Sequence, residues 1–199
     1  MSKVGILLSG GMDSFALTYQ EKPNIAVTID YGQRPASAEI GAAKILTDRL
    51  SIQHVTISAD LSALGSGDLA STPALENAPV SDWWPFRNQM LITLAAMRLF
   101  QDGVNCLLIA TVGSDSIHRD GTKEFVQKIS QLLAMQEGAM FIKAPAINIS
   151  TVDLVKQSGI PYSLLAWAHS CHTGNIACGQ CRGCIKHREV VAGLGYADA

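Results

Sequence analysis

Short apolar segments that are typical of buried strands alternate along this chain with segments of helical periodicity. The apolar segments lie at 4–8, 24–29, 55–58, 105–111 and 141–144. The helical segments lie at 13–20, 36–50, 88–100, 123–136 and 151–158, the last preceded by Ser150 as a candidate N-cap. Because strands that alternate with helices form parallel sheets with crossover helices, the sequence predicts an α/β protein with a parallel sheet flanked by helices.

The length of 199 residues is enough for one domain with a complete hydrophobic core. Neither an internal repeat nor a linker interrupts the pattern, so residues 1–199 are predicted to form a single domain. The segment 61–80 is rich in Ser, Gly, Pro and Ala and is predicted to be a long loop. Loops of this length in compact domains are usually functional or mobile.

The charge balance argues against a general nucleic-acid surface. Fifteen Lys and Arg residues against 17 Asp and Glu residues give a net charge of -2, whereas a protein that coats nucleic acid needs a basic excess. The sequence shows no signal peptide, and no apolar run reaches the roughly 18–20 residues of a membrane span. We therefore expect a cytoplasmic protein without a membrane partner, in which cysteines act as ligands or nucleophiles rather than forming disulfides.

Three polar loops follow predicted strands, at 9–14, 30–34 and 111–115. In parallel sheets, ligands bind at the carboxyl ends of the strands. The sequence therefore predicts that these three loops converge on one crevice.

The first of these loops has the sequence Ser-Gly-Gly-Met-Asp-Ser, residues 9–14. A loop that leads into a helix N-terminus offers free backbone N–H groups and positive dipole charge to a phosphate. Gly10 and Gly11 allow close backbone approach, Ser9 and Ser14 add hydroxyl donors, and Asp13 either orients the loop or meets Mg²⁺. A Gly-Gly pair alone is more often an ordinary turn, but the complete string after an apolar strand favours a phosphate loop.

Four cysteines lie close together near the end of the sequence, at Cys171, Cys178, Cys181 and Cys184. Four thiolates at this spacing suit tetrahedral Zn²⁺ in a structural site, which would span 171–184. An Fe–S cluster is the alternative, but the first cysteine lies upstream rather than at the ferredoxin position, which favours zinc. His169 and His172 flank the cluster as less favoured substitute ligands, and Cys106 is predicted to be an inert buried thiol.

With both motifs in place, the chain resembles the 7-cyano-7-deazaguanine synthase family of PP-loop ATP pyrophosphatases. The resemblance runs nearly from end to end. It rests on the segments LLSGGMDS at 7–14, DYGQR at 30–34, WPFRNQML at 84–91, TVGSDSIHRDGTKEF at 111–125 and the cysteine cluster at 170–184.

The resemblance implies a Rossmann-like PP-loop fold with a small C-terminal four-cysteine zinc-binding subregion, Mg²⁺-ATP, and a homodimer. It also implies a reaction in which ATP adenylates the carboxylate of 7-carboxy-7-deazaguanine, ammonia displaces AMP, and a second activation dehydrates the amide to a nitrile. The residues that it assigns to catalysis are Ser9, Asp13, Ser14, Arg87 and Asp120. Those that it assigns to the nucleotide are Leu8, Ser9, Gly10, Gly11, Met12, Asp13, Ser14, Asp30, Tyr31, Arg34, Arg87, Asn88 and Gly113.

The chain departs from the family pattern mainly in the half that would hold the acid. Pro35 stands where the family usually has histidine, and Asp120 is the one clear match in the segment 114–122. Three alternatives therefore stay open. A family relative from an antiviral gene cluster would join a deazaguanine to a protein amine; an inactive module would only bind nucleotide; a tRNA-modifying PP-loop enzyme would need a basic face.

Overall fold

Five parallel strands form one sheet in the computed structural model, which describes residues 3–196 without the side chains at positions 116 and 117. The strands are β1 (Lys3–Leu7), β2 (Ile25–Asp30), β3 (Gln53–Ser58), β4 (Val104–Leu108) and β5 (Phe141–Lys143). Their order across the sheet is β3-β2-β1-β4-β5, and every neighbouring pair is parallel. The chain thus runs outward from β1 to one edge and then returns to β4 on the other side of β1, which makes the β1–β4 boundary the topological switch point.

Helices connect the strands. They are α1 (Met12–Glu21), α2 (Ala36–Leu50), α3 (Arg87–Phe100), α4 (Lys123–Ala134), α5 (Thr151–Ser158), α6 (Tyr162–Leu165) and α7 (Arg182–Gly193). Hydroxyl groups cap two of them: Thr122 Oγ1 accepts from Phe125 N at the start of α4, and Ser150 Oγ accepts from Asp153 N at the start of α5. Within the described residues, no helix is both long enough and apolar enough to span a bilayer.

Two hydrophobic cores cover the two faces of the sheet. Ile6, Leu8 and Ala26 face the core formed with α1, α2 and α5, whereas Ile25 and Val27 face the core formed with α3 and α4. Successive residues of a strand point to opposite faces, so one apolar strand supplies both cores. The cores fix the carboxyl ends of the strands, where the site lies.

A long connection, residues 59–86, joins β3 to α3 with only two short 3-10 turns, at Ser62–Leu64 and Gly67–Leu69. It is anchored by apolar contacts, since Leu69 and Trp84 are buried and Trp84 packs edge-on against Tyr31 with ring centroids 5.1 Å apart. Gly67 has φ +71°, and a Cβ there would lie 1.9 Å from the carbonyl oxygen of Ser81. The predicted loop is therefore confirmed as an irregular but packed segment.

The predicted alternation of strands and helices is confirmed, with shifted ends. Helix α7 was not predicted, because the segment after the cysteines carries basic and small residues without a clear apolar period. The helix begins because Cys181 Sγ accepts a hydrogen bond from Cys184 N, so a thiol occupies the place of an ordinary capping hydroxyl.

Candidate functional site

A cavity of about 720 Å³ opens at the carboxyl ends of β1, β2 and β4. Its wall includes the loop after β1, Tyr31 after β2, residues 109–111, 114 and 115 after β4, and the first turns of α3 and α7. The structure thus brings the three loops predicted from the sequence to one cavity at the switch point of the sheet. A smaller cavity of about 160 Å³ adjoins it and shares Ser9, Gly11 and Asp13.

The loop after β1 has the backbone geometry of an anion cradle. Gly10 has φ +79°, and a Cβ at this position would lie 2.7 Å from the carbonyl oxygen of Glu39. Gly11 is the N-cap of α1 and makes no side-chain cap bond, so the helix N-terminus faces the cavity without a capping side chain. Ser14 Oγ donates to Gly11 O at 2.9 Å, and Ser9 Oγ lies 3.2 Å from Ser14 Oγ.

A cation from the end of the chain reaches this loop. Lys186 Nζ lies 2.8 Å from Asp13 Oδ2 and 3.5 Å from Asp115 Oδ1. Burial raises the pKa of Asp13, although Lys186 opposes the shift. Burial disfavours the charged Lys186, yet Asp13 and Asp115 together raise its pKa. Among the described residues, Asp13 Oδ1 and Thr151 Oγ1 are buried and make no hydrogen bond of ordinary geometry, although Thr151 lies close enough to Asp13 to lower its pKa.

On the other side of the loop, Gln33 holds Glu39 in place. Gln33 is buried; its Nε2 donates to Glu39 Oε2 at 2.7 Å and to Ile29 O at 3.0 Å, and its Oε1 accepts from Tyr31 N at 2.8 Å. Burial raises the pKa of Glu39 to about 7. The glutamine of DYGQR therefore fixes the position of the Glu39 carboxyl group, and Glu39 lines both cavities.

Arg87 lies at the first turn of α3, among side chains that favour its charge. Burial disfavours the guanidinium, but Tyr31, Asp82, Asp120 and Glu39 raise its pKa. Burial likewise raises the pKa of Tyr31 to about 12, against the influence of Arg87. The cavity wall therefore includes a guanidinium whose charge is favoured by its neighbours.

Asp82 connects the long 59–86 segment to α7. Its Oδ1 accepts from Arg182 Nη1 at 2.6 Å, and its Oδ2 lies 3.4 Å from His172 Nδ1. Burial opposes ionisation of Asp82, but His172 and Arg182 together lower its pKa. Burial also lowers the pKa of His172, although Asp82 opposes this shift.

The four cysteines form one compact cluster, with Sγ atoms that all lie within 4.8 Å of one another. The Cys178–Cys184 and Cys171–Cys181 sulfur separations are 3.9 and 4.0 Å. Ligand bonds of about 2.3 Å in a tetrahedron place sulfurs about 3.8 Å apart, so the donor set fits one four-coordinate metal ion.

The electrostatics of the cluster also call for a cation. Backbone N–H groups of His172, Cys181 and Cys184 donate to cluster sulfurs at 3.3–3.4 Å. Hydrogen bonds from Thr173 and the backbone lower the pKa of Cys178 to about 5, whereas burial and neighbouring thiols raise the pKa of Cys184 to about 12. A metal ion bound by the four sulfurs would stabilise all of them as thiolates.

The cluster is tied directly to the phosphate loop. His169 N donates to Gly10 O at 2.8 Å, and Ala38 N donates to Asn175 Oδ1 at 3.0 Å. Together with the ion pair between Lys186 and Asp13, these bonds hold the segment 169–186 against the loop and α2.

Most of the predicted site residues line the large cavity. These are Leu8, Ser9, Gly11, Asp13, Ser14, Tyr31, Arg87, Asn88 and Asp120. Met12 lines the smaller cavity. Gly10, Asp30, Arg34 and Gly113 lie outside both linings. Asp30 Oδ1 instead accepts from Gly32 N, and the Arg34 side chain is exposed.

Sequence reasoning missed several polar residues of the site, among them Glu39, Asp82, Thr151 and Lys186. The basic run after the last cysteine was the one signal that pointed toward Lys186. The other three stand in segments whose composition is unremarkable.

The family model of the queuosine biosynthesis protein QueC matches residues 3–194. The 7-cyano-7-deazaguanine synthase of Porphyromonas gingivalis strain W83 is 29% identical over 210 residues, which cover 98% of this chain and 94% of the relative. The synthase of Methanoculleus marisnigri is 30% identical over 219 residues, covering 100% of this chain and 97% of the relative.

Among solved structures, the U34-tRNA thiolase NcsA from Methanococcus maripaludis with its [4Fe-4S] cluster is similar in fold. The TM-score is 0.56 at 17% sequence identity, and the match covers 96% of this chain but 63% of NcsA. At this identity the likeness concerns the fold alone.

Proposed function

Because this chain belongs to the family of the queuosine biosynthesis protein QueC, we propose that it is an ATP-dependent 7-cyano-7-deazaguanine synthase. Its substrates would be 7-carboxy-7-deazaguanine, ammonia and two molecules of ATP. The observation that carries the proposal is the uncapped N-terminus of α1 at the cavity, preceded by Gly10 in a conformation that a side chain would block.

The reaction needs the loop because a carboxylate is a poor electrophile until one of its oxygens becomes a good leaving group. The substrate oxygen attacks the α-phosphorus of ATP, and the bond to the β-phosphate oxygen breaks. Pyrophosphate leaves with the electron pair. Backbone N–H groups at the start of α1, with Ser9 and Ser14, are positioned to receive the charge that develops on the departing phosphates.

The residues around Asp13 fit a divalent cation. The buried Oδ1 of Asp13 makes no hydrogen bond of ordinary geometry within the described part of the chain, and Asp115 shares the Lys186 ammonium group with Asp13. Carboxylate oxygens are the ligands that Mg²⁺ prefers. Asp13 and Asp115 would therefore hold Mg²⁺, which supplies charge neutralisation on the leaving phosphates when bound.

Arg87 is the candidate ligand for the acid or its adenylate. Its planar guanidinium suits carboxylate and phosphate oxygens alike, and its acidic neighbours Glu39, Asp82 and Asp120 keep it charged and fixed. Ammonia then attacks the acyl carbon, AMP leaves, and an amide remains. A second adenylation on the amide oxygen, followed by loss of AMP and protons from nitrogen, gives the nitrile.

In the cysteine cluster, we assign Zn²⁺ rather than an Fe–S cluster. Sulfurs within 4.8 Å of one another leave room for one ion, whereas an Fe–S cluster places several irons and sulfides between its cysteines. Zinc would stabilise the segment 171–184 and hold it against the phosphate loop.

The proposal is tested by following oxygen from the acid. With 7-carboxy-7-deazaguanine labelled with ¹⁸O in the carboxylate, ATP and ammonium, mass spectrometry is expected to find the nitrile and one ¹⁸O in each of two AMP molecules. Absence of acid-dependent pyrophosphate release would overturn it. Labelled AMP formed once per product, with an amide to a protein amine and no nitrile, would instead assign the conjugating reaction.

A further inference from the structure

Lys186 lies far from the phosphate loop in sequence but contacts it in the fold. It stands at the start of the second turn of α7, two residues after Cys184, and its Nζ lies 2.8 Å from Asp13 Oδ2. Its side chain keeps 39% of its surface exposed, on a wall that belongs to both the large and the small cavity. A group at this position can therefore meet a ligand of the loop.

The phosphate loop contains no cation of its own, since residues 9–14 are Ser, Gly, Gly, Met, Asp and Ser. The other strong cations on the cavity wall are engaged elsewhere. Arg87 lies beside Tyr31, and Arg182 is bonded to Asp82. Of the cationic side chains described on this wall, Lys186 is the one whose ion pair is made with a loop residue.

The contacts of Lys186 can be exchanged. One ammonium group is shared by two carboxylates, at 2.8 and 3.5 Å. The lysine side chain has a flexible four-carbon stem. Its compact ammonium group can therefore move from one oxygen to another without a rearrangement of the surrounding side chains. A phosphate next to the loop would offer it oxygens of higher charge than a single carboxylate.

We propose that Lys186 is a phosphate-binding residue of this site, which donates hydrogen bonds to the oxygens of pyrophosphate as it leaves ATP. The inference rests on the proposed function, because it assigns a role in the same ATP cleavage. No bond to Lys186 forms or breaks. The residue supplies from α7 the cation that the Ser-Gly-Gly-Met-Asp-Ser loop lacks.

The test uses inorganic pyrophosphate as the probe, with binding to the full, metal-loaded chain measured by calorimetry without Mg²⁺. Lys186→Met is expected to weaken binding roughly 10- to 100-fold, the range for a charge-assisted hydrogen bond, while Lys186→Arg stays within about threefold. Lys128→Met is the matched control, because it removes a lysine from an exposed ion pair with Glu124 at 2.6 Å and is expected to change nothing.

Unchanged pyrophosphate binding by a folded Lys186→Met, with its metal content intact, would overturn the proposal and would reduce Lys186 to a structural partner of Asp13. Loss of binding in Lys186→Arg as well would also overturn it, because arginine keeps the charge. Failure of the proposed function looks different: the wild-type chain would bind pyrophosphate through Lys186 and yet release none with 7-carboxy-7-deazaguanine.

Discussion

Two adjacent glycines in the phosphate loop have opposite backbone requirements. Gly10 has φ +79°, and a methyl group placed on it would lie 2.7 Å from the Glu39 carbonyl oxygen, whereas Gly11 has φ -80° and no neighbour closer than 3.8 Å to such a group. A side chain at Gly10 would disturb the fold, while one at Gly11 would occupy space on the cavity wall. The pair therefore separates a folding role from a binding role.

We expect Gly10→Ala to lower the free energy of unfolding by about 2–4 kcal/mol, since strain and a backbone clash add. Gly11→Ala is expected to lose less than about 1 kcal/mol, because Ala adopts its backbone angles and only the weak N-cap preference is lost. Its pyrophosphate affinity should nevertheless fall more than roughly tenfold. Chemical denaturation and calorimetry measure both quantities. Full binding by Gly11→Ala would show that the phosphate lies elsewhere.

Glu39 makes the stability of the protein depend on pH. Its pKa is raised from 4.5 to about 7, so the folded chain holds a proton that the unfolded chain has released between these values. Its contribution to stability is therefore complete below about pH 4.5 and is lost as the pH rises to about 7.

As the pH rises from 5 to 8, the wild type should lose about 2 kcal/mol of unfolding free energy that the Glu39→Gln variant keeps, since each pKa unit is worth about 1.4 kcal/mol. Unfolding curves over this pH range provide the measurement. Glu76→Gln, an exposed residue of the 59–86 segment, is the control and should run parallel to the wild type. A parallel profile for Glu39→Gln would contradict the burial of this carboxyl.

Among single residues, the site residues that stand together in one sequence motif could be predicted. The site residues that come together only in the folded chain could not. Ser9, Asp13 and Ser14 stand in one short motif. Lys186 reaches Asp13 only because the cysteine cluster folds back against the loop, and Glu39 becomes a site residue only through the buried Gln33. No local pattern encodes either contact.

Among the elements, the 59–86 segment is held at the cavity by one acidic side chain in addition to its buried apolar residues. Asp82 is 7% exposed and is bonded to Arg182 on α7. Asp82→Ala leaves Arg182 and His172 without their acid, and we expect local opening of the segment to become easier by about 2–3 kcal/mol.

Limited proteolysis of this variant should therefore cut within 59–86 roughly 30- to 150-fold faster than in the wild type. Glu76→Ala, which removes an exposed acid from the same segment, is the matched control. Equal cleavage of Asp82→Ala and the wild type would mean that Leu69 and Trp84 alone hold the segment.

The alternation of strands and helices was predictable because short, continuous apolar runs indicate buried strands, whereas longer segments with apolar residues at helical spacing indicate helices. Helix α7 was not, because a cysteine sulfur caps it and one face of its first turn packs on the cluster. Its start depends on a tertiary arrangement of thiols rather than on helix propensity.

For the molecule as a whole, the cysteine cluster and the phosphate loop are expected to lose function together. Chelation of the metal should lower pyrophosphate affinity at least roughly tenfold, because His169 and Lys186 lose their positions beside the loop, and added Zn²⁺ should restore it. Cys181→Ser should behave like the chelated protein. Cys106→Ser, which changes a partly buried thiol outside the cluster, should not. If the metal-free protein bound pyrophosphate as tightly as the metal-loaded protein, the prediction that the cluster supports the phosphate loop would be wrong.

The hydrogen bond from His169 to Gly10 joins the first turn of the sheet to a segment that the ribosome makes much later. During synthesis, the loop is made early, and the other four strands are translated before His169. Under the proposed function, a chain that ends before His169 is therefore expected to lack the bond that holds Gly10 in place, and to bind pyrophosphate more weakly than the full chain.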